Sequence, residues 1–198
     1  HHRSSAASDV YKRQVKELTQ KVCKPWRIAI PVGKDSLSMK TIWQNNKKTN
    51  LSPQSLVISA FAKIKNVSNS ITPQLINTDE LVLVYLDLSK NKKRLGGSIL
   101  AEVTQQTNLE TPNLENLKEF PRIYNFLATN INKKRIYSFH DISDGGLVVS
   151  AVEMMLAGGC GLNLDFSKIS FFNDSSNLFS EELGVLFQIN NKDFSGFK

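Results

Sequence analysis

The sequence predicts an α+β fold. Three observations carry that expectation: apolar runs of strand length, longer stretches with apolar residues at helical spacing, and no strict alternation between the two. The 198 residues, 40% hydrophobic and 22% charged, suffice for a real core. They fall outside collagen-like, coiled-coil and fully disordered compositions.

Residues 1–14 are rich in Ser and Ala without buried periodicity, and read as a non-native or disordered leader. Val15, Leu18 and Val22 then recur at helical spacing, and Pro25 is expected to end that helix. Residues 27–32 read as a short buried strand, followed by the turn Gly33-Lys34-Asp35-Ser36 and a second strand over 37–43. Residues 45–50 form a polar loop, 55–64 are apolar and β-prone, and 67–74 have the composition of a linker. Residues 81–86 are too short for a helix and too apolar for an edge strand. Gly96-Gly97 introduce a helix through Leu100 and Val103; residues 114–127 form an amphipathic helix with Pro121 as its weak point. A strand is expected over 136–139. Leu147, Val148, Ala151, Val152, Met155 and Leu156 make one helical face, ended by Gly158-Gly159. Residues 162–166 and 185–189 complete the strands.

Composition excludes several functions. No apolar run approaches the roughly 18–20 residues of a spanning helix, so no membrane partner is expected. Cys23 and Cys160 are far apart and form no C-x-x-C pair, which points to a reducing, cytoplasmic setting. His140 is the only histidine beyond His1-His2, too few for a zinc site. The net charge of +7 invites a nucleic-acid reading. However, Lys92-Lys93-Arg94 and Lys133-Lys134-Arg135 sit beside asparagines as solvated loops do, without interleaved aromatics, so no nucleic acid is expected.

Four motifs carry candidate chemistry. Gly33-Lys34-Asp35-Ser36 is not a Walker A loop, because position 28 is Ile and Asp35 separates the lysine from the hydroxyl. Spacing alone favours a plain turn with a solvated lysine; contact of Lys34, Asp35 and Ser36 with a phosphate or substrate is the alternative. His140-Asp141-Ile142-Ser143-Asp144-Gly145-Gly146 joins a strand to a helix, where backbone N–H groups are expected to point outward unpaired. Asp141 can hold Mg²⁺ there, while Ser143 or Asp144 can cap the helix. Gly158-Gly159-Cys160-Gly161 comes within one residue of a G-x-C-x-G nucleophile elbow, but Leu162 and the missing His-x-Glu leave a helix cap with a buried, inert Cys160. Glu181-Glu182 before a strand read as a polar loop ahead of metal or phosphate work.

Six segments appear in one order: Ile30-Pro31-Val32-Gly33-Lys34-Asp35-Ser36-Leu37-Ser38-Met39-Lys40-Thr41, Leu56-Val57-Ile58-Ser59-Ala60-Phe61-Ala62, Thr72-Pro73-Gln74-Leu75, Leu95-Gly96-Gly97-Ser98, the run from His140 to Leu147, and Glu181-Glu182-Leu183-Gly184. Together they resemble the phosphoribosylformylglycinamidine synthase family, large single-chain type, of de novo purine biosynthesis. The resemblance implies an ATP-dependent, glutamine-using ligase. ATP phosphorylates the formamide oxygen of formylglycinamide ribonucleotide, and ammonia from glutamine displaces the phosphate. It also implies two fused AIR-synthetase-like halves. Residues 15–74 would end the second N-type domain, and 75–198 would form a C-type α+β domain with a mixed sheet, truncated at its C-terminus.

On this reading the chain is a fragment, inactive alone. The other synthetase half, the Gly-rich nucleotide loop and the glutaminase with its Cys-His-Glu triad lie outside it, and no catalytic residue is assignable. By the same resemblance Asp141 matches an Mg²⁺ ligand and Ser143 a contact to ATP or ADP, while Ile142 replaces a commonly basic residue. A non-catalytic nucleotide-binding or assembly module with a degenerate AIR-synthetase-like fold is the rival reading.

Overall fold

In the computed structural model, which describes residues 11–34, 40–45, 47–51, 56–115, 117–164 and 176–197, the chain divides into two units, His1–Ile64 and Lys65–Lys198. The first begins with helix α1, residues 11–26, interrupted by a π-helical turn over Leu18–Cys23. Thr19 Oγ1 donates back to the Val15 carbonyl at 2.8 Å, a bond that competes with the regular ladder. The helix runs past Pro25 to Trp26 and stops where Arg27 turns left-handed, at φ 56°.

Strands β1 (Lys40–Trp43) and β2 (Lys48–Leu51) pair antiparallel, so part of the expected polar loop is strand. Gln44 and Asn45, in the four-residue connection between β1 and β2, both adopt positive φ. The strand expected over 27–32 is absent: residues 28–34 have no regular structure, and Ile28, Ile30 and Val32 are exposed. An apolar run becomes a buried strand only with a ladder partner and a covering layer, and the described residues supply neither. Residues 56–64 behave the same way, with Val57 and Phe61 exposed.

The second unit is built on strands β3 (Leu81–Asp87), β4 (Ile136–Asp141) and β5 (Gly184–Asn190), in the order β3-β5-β4. The α+β class holds, but the mixed sheet does not appear: all pairings among the described strands are antiparallel. β3 and β4 run the same way, yet β5 inserts between them and pairs antiparallel with each. β3 therefore lies at an edge of the described sheet despite its apolar sequence, and its residues are half-buried because both faces are covered.

Helix α2 (Ile99–Val103) follows Ser98, whose Oγ accepts from the Ala101 N–H as an N-cap. Helix α3 spans Phe120–Asn132, with Pro121 in its first turn. The expected weak point is thus the helix start, where proline's missing donor costs nothing. Helix α4 spans Gly146–Gly158 and ends on left-handed Gly159, as the paired glycines predicted. A short helix α5 (Ser176–Phe179) precedes β5.

Side chains alternate along β5. Leu186 packs with Leu75, Leu147, Ala151 and Met154, the α4 side of the sheet. Val185, Phe187 and Ile189 pack with Leu127 and Ile136, the α3 side. The buried face of α4 is Leu147, Ser150, Ala151 and Met154, while Val152 and Leu156 of the expected face are exposed. The run of apolar residues in α4 fits two rotational settings, and packing against Leu75 and Leu186 selects one. Buried Gln188 accepts from the Ile76 N–H at 2.9 Å and donates to the Ile76 carbonyl at 3.1 Å. Residues 75–76 are thereby fixed to the sheet. Residues 161–164 form no strand, and 165 and 166 lie outside the described residues.

Candidate functional site

The turn from β4 into α4 forms because Gly145 and Gly146 adopt φ of 87° and 73°. At Gly146 a Cβ would lie 2.7 Å from the Phe179 carbonyl carbon, so only glycine fits against that backbone. The tight crossing holds the end of β4, the turn and the start of α4 in one place.

Asp141 is the last residue of β4, and its side chain is 75% exposed. Its carboxylate lies 3.3 Å from His140 Nδ1, which also donates to the Asp141 carbonyl at 2.7 Å. His140 Nε2 lies 3.1 Å from Glu153 Oε2 on α4, and Ser143 Oγ donates to the same oxygen at 3.4 Å. The Ser143 N–H donates to Ser150 Oγ at 3.2 Å. One polar chain therefore joins Asp141, His140, Glu153, Ser143 and Ser150. His140, Ser150 and Glu153 had no assigned role in the sequence reading. Their signal was periodicity, since Ser150 and Glu153 sit four and seven positions after Gly146, on one helix face.

Neither Ser143 nor Asp144 caps α4; Gly145 occupies that position without a side-chain cap. The Gly145 N–H donates instead to Glu181 Oε1 at 2.8 Å, and the Gly146 N–H donates to the Ser143 carbonyl at 3.0 Å. The expectation of unpaired amides is therefore overturned for these two groups. A carboxylate stands at the helix start, where the positive end of the dipole favours an anion. The same Glu181 oxygen accepts from the Ile99 N–H at 2.8 Å, so one side chain serves the starts of α2 and α4.

Glu182 is not in a solvated loop either. It is buried and holds Arg94 through two bonds, Nε to Oε1 at 2.7 Å and Nη2 to Oε2 at 2.8 Å. Arg94 Nη1 reaches Glu115 at 2.7 Å, and these partners raise its pKa. Lys93 pairs with Asp87 at 3.2 Å. The first basic run is thus largely structural, whereas Lys133, Lys134 and Arg135 are exposed as expected.

Lys34 belongs to the first unit and is exposed; Asp35 and Ser36 lie outside the described residues. Among the described residues no three His, Cys, Asp or Glu side chains cluster as a metal cage. Asp141 offers one exposed carboxylate, and the Mg²⁺ that accompanies a nucleotide is commonly held by one or two carboxylates with phosphate and water completing the shell. Cys160 is half-buried against the α4 side of the core, beside the glycine cap. No described helix is long and apolar enough to cross a membrane.

Two family models match the chain in succession. Residues 2–63 match the FGAR-AT PurM_N-like domain. Residues 79–194 match the AIR synthase related protein, C-terminal domain, and so span the described sheet and its helices. The two together match the synthetase portion of FGAR amidotransferase, and point to a synthetase-like role in purine biosynthesis. With more than half its length in the second domain, the chain belongs to the AIR synthase related family.

Proposed function

We propose that the chain contributes to the ATP-dependent, glutamine-using ligase that converts formylglycinamide ribonucleotide to formylglycinamidine ribonucleotide in the cytoplasm, and that Asp141 and Ser143 serve its nucleotide. The observation that supports this most is the exposed Asp141 carboxylate at a strand-to-helix turn, in a chain that joins the two domain types in order. Mg²⁺ bound with ATP or ADP would neutralise phosphate charge during phosphoryl transfer. Asp141 would hold that ion, and His140 and Glu153 orient the groups around it. Ser143 offers a hydroxyl whose present acceptor is Glu153. Gly145 and Gly146 give no amide to phosphate while Glu181 and the Ser143 carbonyl hold theirs. Lys34, Asp35 and Ser36 remain the proposed phosphate or substrate contacts of the first unit.

The test is Asp141→Asn in the full-length protein, read by ADP titration with and without Mg²⁺ beside a thermal melt. We expect at least tenfold weaker binding with Mg²⁺, little change without it, and an unchanged melt, because an exposed pair with His140 contributes little to stability. Unaltered Mg²⁺-nucleotide affinity, or a melt many degrees lower, would make Asp141 structural. Nucleotide binding without ligase turnover would favour a non-catalytic module.

A further inference from the structure

On the α3 side of the sheet, opposite the α4 side that carries the Asp141 turn, α3 and the 3-10 turn Asn191–Phe197 line a cavity of about 620 Å³. Arg122, Lys133, Arg135 and Lys192 line it, and Asp193 is the single carboxylate among its lining residues. All four cations are exposed, and their side chains make no ion pair among the described residues. Helix α3 contains no Asp or Glu along its length. Phe126 and Phe197 add two rings, edge to face at 5.4 Å, and Phe197 lies 6.0 Å from Phe187 in the core.

We propose that this groove binds a small organic phosphate, independently of the Asp141 turn. Four like charges around one cavity repel, and a single nearby carboxylate leaves most of that charge unanswered. A phosphate group neutralises it, and two arginines offer forked donors that match phosphate oxygens. The rings supply apolar surface for the remainder of the ligand. The volume lies in the range of small-molecule sites. The four cations line one pocket together with two aromatic rings, which favours a small ligand over a nucleic-acid strand.

The experiment is calorimetric titration of the full chain with inorganic pyrophosphate, ADP and a single-stranded RNA oligonucleotide, at low and high salt. The variants are Arg135→Gln/Lys192→Gln, Asp141→Asn and, as a charge-matched control, Lys63→Gln/Lys65→Gln. We expect pyrophosphate and ADP to bind, with ADP tighter through its ring system. Arg135→Gln/Lys192→Gln should weaken both at least tenfold, while the control and Asp141→Asn, titrated without Mg²⁺, leave pyrophosphate affinity intact. Absence of pyrophosphate and ADP binding, an equal loss in the lysine control, loss in Asp141→Asn, or RNA binding tighter than ADP would each overturn the proposal.

Discussion

Arg94 shows how much one side chain can organise. Its guanidinium satisfies Glu182, Glu115 and the Asn113 carbonyl, while its own backbone N–H donates to Glu182 Oε1. Removing Glu182 leaves a buried cation without its bidentate partner, so Glu182→Ala should cost about 3–5 kcal/mol in a denaturant melt. Replacing both partners, as Arg94→Met/Glu182→Leu, should restore much of that loss, because the apolar pair carries no desolvation penalty. The pair could not be read from sequence. Its members lie 88 positions apart, and each stands in a stretch that looks like an ordinary polar loop. Tyr85 supplies a second expectation. Burial, reinforced by Asp87 and Glu182, pushes its hydroxyl well above the ordinary value of 10. The unfolded chain therefore ionises first as pH passes 10, and stability falls on that alkaline limb. Tyr85→Phe should flatten the Tyr85 contribution in melts recorded between pH 9 and 11.

Helix α4 depends on its entry more than on its own composition. Gly146 needs both a positive φ and the absence of a Cβ, since Phe179 and Ser180 press their backbone against it. Gly146→Ala should destabilise the second unit by about 1–3 kcal/mol from backbone strain alone, with further loss from the clash. Thermal melts of the variant and parent chains would measure it. The glycine pair was visible in the sequence, but that Gly146 packs against the 179–180 backbone could not be read there, because the two segments lie more than thirty positions apart. Other elements divide along the same line. β5, α3 and α4 were visible because their patterns are local. The start of α3 was misplaced because amphipathic spacing continues into residues 114–119, and the proline rule that corrects it concerns helix starts. Residues 27–32 and 56–64 misled because β-prone composition states a preference, and burial requires neighbours. Asp141 stood out because a carboxylate ends the strand just before the helix, while Ser143 read from its position only as a cap, and its proposed nucleotide contact came from the family resemblance alone. Glu181 was noted, but its role at two helix starts was not legible, since its two amide partners belong to segments distant in sequence.

At the scale of the molecule, the sheet of the second unit has a marked order of assembly. Among the described residues every ladder in it includes β5, while β3 and β4 are not neighbours. Roughly a hundred residues separate the start of β3 from the start of β5. At a synthesis rate of about 5–20 residues per second, β3 waits on the order of 5–20 s on the ribosome before its partner exists. During that interval Leu81, Val82, Leu83, Val84 and Leu86 form an unpaired apolar strand, a sequence type prone to join other chains. The antiparallel order that centres the described sheet on β5 thus leaves the nascent β3 open to pairing with other chains until β5 emerges.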